Sequence, residues 1–226
     1  NTGPKSSHQC SWDDYECVLD PDEGAFVASI ISELRLLGAN GNVYLVGNSN
    51  GAALAHKLAS NSGPGDLPVK GIVTKVTQLL ASPHRSGPGV LNYNQPGSGV
   101  PPVSVLNVMG MQDGLIPYEG GSSSVFGGDV NFELMGALES METWATHNGC
   151  SAGAPAVTAG ITFTTDNDLT GTGATFYEYG GCPDGVIVEH YAIHEAGHSF
   201  GRGAALEGID INHDLAYDFI ERVEAG

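Results

Sequence analysis

A serine, an aspartate and a histidine occur in this chain in an order that suits acyl transfer. Ser49 lies in V-Y-L-V-G-N-S-N-G-A-A-L-A-H-K-L-A, residues 43–59: an apolar strand, a Gly-x-Ser-x-Gly turn and a helix-forming run. A serine on so sharp a strand-to-helix turn sits in strained backbone. The small neighbours Gly47 and Gly51 are expected to leave room for the turn and for helix packing on strand. The Asn50 N–H, at the helix start, would face a developing oxyanion with the helix dipole assisting. Asp113 stands in G-M-Q-D-G-L-I-P-Y-E-G-G, directly after the β-branched and apolar run 103–109, and His198 in H-E-A-G-H-S-F-G, directly after the run 186–193. Both thus fall just past the carboxyl end of an expected strand. In that arrangement His198 takes the Ser49 proton and later gives it to the leaving group, while Asp113 holds the imidazole tautomer. The product is an acyl-enzyme that water hydrolyses, with no cofactor and no metal. Tyr118 and Glu119, beside the acid loop, are candidates to line the substrate pocket.

A rival reading uses the same segment. His194-Glu195-Ala196-Gly197-His198 matches H-E-x-x-H, in which two histidines on one helical face bind zinc and the glutamate is the general base. The long metzincin form needs a third histidine at 204, which is Ala204; a downstream glutamate ligand would have to be a residue such as Glu207 or Glu221, neither placed by the motif. Residues 186–193 are β-branched and aromatic, with Gly181, Pro183 and Gly185 before them, a poor setting for a zinc helix. His190, His194 and His198 recur every four residues, but even spacing on a strand makes two of them structural or surface groups. His56, in the helix after the serine, reads as packing.

The bulk composition narrows the partners. The 226 residues suit one domain with a sizeable core, and 41% apolar with 15% charged residues are globular values. With 26 acidic residues against 8 Lys and Arg, the net charge of −18 repels nucleic acid and anionic lipid. The chain has no apolar run of about 18 residues, so no membrane insertion is expected. The start at Asn1 without an apolar leader suggests a processed or truncated product. Cys10 and Cys17 flank one short segment, and Cys150 and Cys182 bracket a Gly/Thr-rich stretch. Neither spacing is that of a zinc ribbon. Two disulfides in an oxidising compartment is the favoured reading, four buried thiols the other.

The elements that must position these residues follow from periodicity. Phe26, Ile30, Ile31, Leu34 and Leu37 predict an amphipathic helix over 22–37, stopped by Gly38. Strand 42–46, a helix from about 50 to 60, strand 70–76 and a long Pro/Gly/Ser-rich loop 82–102 follow. After strand 103–109 come a helix over 132–147, a Gly/Thr-rich excursion 149–173, and A-T-F-Y-E-Y with V-I-V-E-H-Y-A-I as a strand pair. A final helix runs from about 213 to 224. Strands alternating with helices predict an α/β fold with a mostly parallel sheet and helices on both faces. With the serine turn, acid and histidine in that order, it is the α/β-hydrolase pattern.

The local wording V-Y-L-V-G-N-S-N-G, D-P-D-E-G-A-F at 20–26, M-G-M-Q-D-G-L-I-P-Y-E-G-G, W-A-T-H-N-G-C and G-H-S-F-G resembles secreted esterases of the poly(3-hydroxybutyrate) depolymerase and feruloyl esterase group, over about residues 12–202. The resemblance implies Ser49, Asp113 and His198 as the triad, a Cys150–Cys182 disulfide, secretion, and an ester of a polysaccharide or a polyhydroxyalkanoate as substrate. Two departures stand out. Phe200 takes the place of the tryptophan that usually follows the late Gly-His-Ser. Only about 40 residues, reading as loop and helix, precede the serine strand. The family places several strands there, ending in a His-Gly loop that gives the second oxyanion donor. The resemblance therefore implies that those strands come from a separate chain or larger assembly, were cleaved away, or are lost. Loss of one donor costs on the order of a hundred- to a thousandfold in rate. The alternative to an esterase is then a degenerate member kept for binding or assembly.

Overall fold

The computed structural model describes residues 23–39, 41–61, 67–82, 95–123, 133–183 and 185–226. In chain order these hold α1 (Glu23–Leu36), β1 (Val43–Asn48), α2 (Asn50–Asn61), β2 (Val69–Lys75), β3 (Leu80–Ser82), β4 (Ser104–Gly110), β5 (Gly121–Ser122), β6 (Glu133–Leu134), α3 (Ala137–His147), β7 (Ala156–Thr165), β8 (Asp168–Glu178), β9 (Val188–Ile193), β10 (Ala205–Leu206), β11 (Ile209–Asp210) and α4 (Asp214–Ala225). Cys10 and Cys17 lie outside the described residues.

The architecture is α/β. One sheet of eight strands has the order β1-β2-β4-β9-β8-β7-β10-β11, and β3, β6 and β5 make a small second sheet. β1, β2, β4 and β9 run parallel. β8, β7, β10 and β11 then join antiparallel. The sheet is therefore mixed, where the alternation of elements predicts a mostly parallel one.

The difference lies in the Gly/Thr-rich stretch. Residues expected as an irregular excursion, 149–173, contain all of β7 and the start of β8. Threonine is β-branched and fits a pleated surface, and the glycines fall where the ladder bends. Gly160, with φ 79, sits at the irregularity between Ala159 and Ile161. A second correction concerns the helix expected over 132–147. Glu133 and Leu134 pair with β3 and β5 instead. Gly136 is extended, with Glu139 reaching back to its N–H at 3.4 Å, so the helix starts at Ala137.

Helices cover both faces. Ala53, Leu58, Met141 and Trp144 of α2 and α3 pack on Ile72, Val105, Met109 and Ala192. On the other face Leu215, Phe219 and Val223 of α4 pack on Val73, Leu106, Val108 and Ile193. β4 is buried along its whole length, as a parallel strand between two helical layers must be. α1 forms as expected, but Phe26, Ile30 and Leu34 stay exposed. Its contact with the core is made by the partly buried Val27, Ala28 and Ile31. Cys150 and Cys182 are disulfide-bonded, joining the segment after α3 to the segment before β9. Among the described residues no helix is long and apolar enough to cross a membrane.

Candidate active site

The turn between β1 and α2 has the strain its sequence implies. Ser49 has φ 52, in the left-handed region, a conformation costing a non-glycine residue about 1–2 kcal/mol. It is held there by its own N–H donating to the Lys75 carbonyl at 2.9 Å, and by its carbonyl accepting from Ala52 and Ala53 at 2.9 and 3.0 Å as α2 begins. A Cβ at Gly47 would lie 2.3 Å from the Gly51 carbonyl oxygen, so only glycine fits. Gly51 differs from expectation: a Cβ there meets nothing within 4 Å, and packing does not demand the second glycine. Asn50 is exposed and opens α2, so its N–H is among the first-turn donors without an intrahelical acceptor.

Ser49, His198 and Asp113 stand in one hydrogen-bonded line. His198 Nε2 is 2.9 Å from Ser49 Oγ, and His198 Nδ1 is 2.8 Å from Asp113 Oδ2. A carboxylate only accepts, so Nδ1 carries the ring proton and Nε2 is free to accept the serine hydroxyl. The Asp113 side chain is fully buried, whereas that of His198 is 24% exposed. The other carboxylate oxygen, Oδ1, accepts the Leu115 and Ile116 N–H groups, each at 2.9 Å. The aspartate is thus oriented by its own loop before it meets the histidine.

The acid and histidine loops are joined backbone to backbone. Met111 N–H donates to the Ile193 carbonyl at 2.9 Å and Gln112 N–H to the Ala196 carbonyl at 3.0 Å. A Cβ at Gly110 would lie 2.3 Å from the Ala196 carbonyl oxygen and 2.5 Å from that of Gly197. Gly110 is therefore required at the site, a role that no motif in the sequence marks. Its signal was a glycine at the very end of an apolar strand. Val76, just past β2, also has positive φ, 53, which a β-branched residue rarely adopts. Nothing in the sequence marks it.

His194 does not share a helix with His198. β9 ends at Ile193 and residues 194–195 form a turn. The His194 N–H donates to the Gly173 carbonyl at 3.1 Å, and its Nε2 is 2.8 Å from Thr175 Oγ1, away from the serine. The zinc reading has no helix to present both rings, and among the described residues no three His, Cys, Asp or Glu side chains converge to hold a metal.

Tyr118, expected on a pocket wall, is buried, with its hydroxyl 3.0 Å from His190 Nε2. Glu119 is exposed. His190 and His56 are both fully buried, and burial pushes each imidazole down to about 3. His56 accepts the Trp144 indole N–H on Nδ1 at 3.2 Å, which makes it a packing residue, as expected. Phe200 is buried against α4's side of the core.

No family model matches the chain. Over 102 residues, 45% of its length, it is 33% identical to feruloyl esterase B of Piromyces equi, and the match spans 16% of that protein. The chain is related over that stretch to an ester hydrolase.

Proposed function

We propose that the chain is a serine carboxylic-ester hydrolase of the α/β-hydrolase type, with Ser49 as nucleophile, His198 as general base and acid, and Asp113 as the group that orients the imidazole. The observation that carries this is the line from Ser49 Oγ through His198 to Asp113, at 2.9 and 2.8 Å, on three loops that follow three parallel strands. Ser49 Oγ attacks the ester carbonyl as its proton passes to His198 Nε2. The Asn50 N–H meets the oxyanion, the alcohol leaves with the proton from His198, and water repeats the sequence on the acyl-enzyme. A feruloyl-type aromatic ester is the first substrate to try, given the relative's name. A polyhydroxyalkanoate is the second. The Cys150–Cys182 disulfide fits an oxidising, extracellular setting.

The test is labelling with a fluorophosphonate probe, together with hydrolysis of a feruloyl ester. Wild type should label and turn over. Ser49→Ala should lose the label and at least about 10⁴-fold in kcat while keeping its fold. Labelling that persists in Ser49→Ala, or a wild type that neither labels nor hydrolyses, would defeat the esterase reading.

A further inference from the structure

A row of polar side chains crosses the apolar face of the sheet that α2 and α3 cover. Thr74 of β2, Asn107 of β4 and His190 of β9 are register partners on three adjacent strands. All three are buried, among Ile72, Val105 and Ala192. Burying such groups is costly unless each finds a partner, and here the partners run in one direction only. Asn107 Nδ2 donates to Thr74 Oγ1 at 2.9 Å and to the Thr77 carbonyl at 2.8 Å, which turns Oδ1 toward His190 Nδ1 at 2.9 Å. An amide oxygen only accepts, so His190 carries its proton on Nδ1 and presents a bare Nε2. The Tyr118 hydroxyl, 3.0 Å away, is the donor that completes the row.

Tyr118 belongs to the acid loop. Between it and Asp113 stand Leu115 and Ile116, whose amides hold Asp113 Oδ1, and Pro117, whose ring stiffens the link. We propose, resting on the esterase reading, that Tyr118 is a positioning residue: its hydroxyl, seated on the Thr74–Asn107–His190 row, sets the acid loop so that Asp113 Oδ2 meets His198. If Tyr118 shifts, His190 Nε2 is left bare in the core, so the loop has one favourable seat. The same row stands on β9, the strand that leads to His198, and so indexes the acid against the base.

Tyr118→Phe tests this beside Tyr179→Phe, in which another buried tyrosine loses a hydroxyl bond, to the Leu138 carbonyl at 3.3 Å, that involves neither His190 nor Asp113. Two readouts are needed: the kcat and KM of ester hydrolysis, and the downfield proton resonance of the His198 Nδ1–H bond to Asp113, which requires no turnover. Tyr118→Phe should lower kcat about tenfold with KM little changed, because the reacting groups are misaligned while substrate contacts survive. The resonance should shift or broaden. Tyr179→Phe should melt earlier yet keep both. His190→Gln, whose single amide cannot fill both ring-nitrogen positions, toward Asn107 and toward Tyr118, at once, should behave as Tyr118→Phe does, and serves if that variant does not fold. An unchanged resonance in a folded Tyr118→Phe or His190→Gln would overturn the proposal. If wild type turns over no ester, the esterase reading fails, and the resonance still decides the role of Tyr118.

Discussion

In the parallel half of the main sheet, β4 is buried along its whole length between α2–α3 and α4, whereas in the antiparallel half β7 is exposed through its first five residues. The two halves handle glycine differently as well. At Gly47 and Gly110 an added Cβ would strike backbone oxygen at 2.3 Å, so glycine is there for closeness. At Gly160, φ is 79 and nothing lies within 4 Å, so glycine is there for its dihedral alone. Tight packing of backbone on backbone folds the serine turn at Gly47 and joins the acid and histidine loops at Gly110. The hairpin of β7 and β8 widens the sheet and reaches the histidine loop through the Gly173 carbonyl, which accepts from the His194 N–H at 3.1 Å.

The largest effect that would break or uphold this contrast is expected at Gly110. Gly110→Ala forces apart the acid strand and the Ala196–Gly197 backbone, and should cost on the order of 4 kcal/mol or more. It should also cost about a hundredfold in ester hydrolysis through misalignment. Gly180→Ala, at an exposed position with nothing within 4 Å and no positive φ, is the control and should change neither. Equal melting temperatures for the two variants would show that the close approach is not a structural requirement.

The parallel half was legible in the sequence for the same reason that it is rigid. Burial on both faces writes continuous apolar runs such as V-S-V-L-N-V-M, and a sharp turn writes its glycines, so β1, α2, β4 and the placement of Ser49 and Asp113 could be read directly. β7 and the start of β8 were not legible, because exposed threonines and glycines carry no alternation of apolar and polar residues, whereas A-T-F-Y-E-Y in the rest of β8 was. The bond from Tyr118 to His190 was hidden for a related reason. A tyrosine beside an acid loop looks like a pocket residue until His190, 72 residues away in sequence, is seen to receive its hydroxyl.

The disulfide links the two halves, since Cys150 and Cys182 bracket the hairpin, 32 residues apart. Closing a loop of that length is worth about 3–4 kcal/mol through the unfolded chain. Reduction should therefore lower the unfolding free energy by that amount while leaving hydrolysis intact well below the transition. If reduction abolished hydrolysis in a still-folded protein, the hairpin would be contributing to the site after all, and the contrast between the halves would fail.

Acid should weaken the parallel half. His56 on α2 and His190 on β9 are held neutral by burial, with folded values near 3 against an ordinary 6.5. Above pH 6.5 both states are neutral and neither histidine affects stability. As pH falls from 6.5 toward 3, the unfolded chain takes up protons that the native protein refuses, so stability drops. The slope approaches about 1.4 kcal/mol per pH unit for each histidine. Denaturation titrations of wild type and His56→Phe should differ in slope by that one-histidine amount over this window. Equal slopes would mean that His56 is not buried neutral.

The smallest effect concerns the strain at Ser49. A residue with a Cβ at φ 52 costs about 1–2 kcal/mol, whereas glycine adds about 0.4–1 kcal/mol of unfolded-chain entropy to be overcome. Ser49→Gly should therefore be more stable than Ser49→Ala by up to about 1 kcal/mol, with both inactive. Gly160→Ala should lose about the same amount for the mirror-image reason, since only its φ of 79 opposes a side chain there. Chemical denaturation of the three variants measures the pair of effects. The outcome in which Ser49→Gly gains nothing over Ser49→Ala while Gly160→Ala is destabilised would show that the serine turn relaxes out of the left-handed region. A turn that accepts backbone strain to aim a hydroxyl at His198, beside a hairpin that meets the same dihedral with a glycine, requires the opposite result.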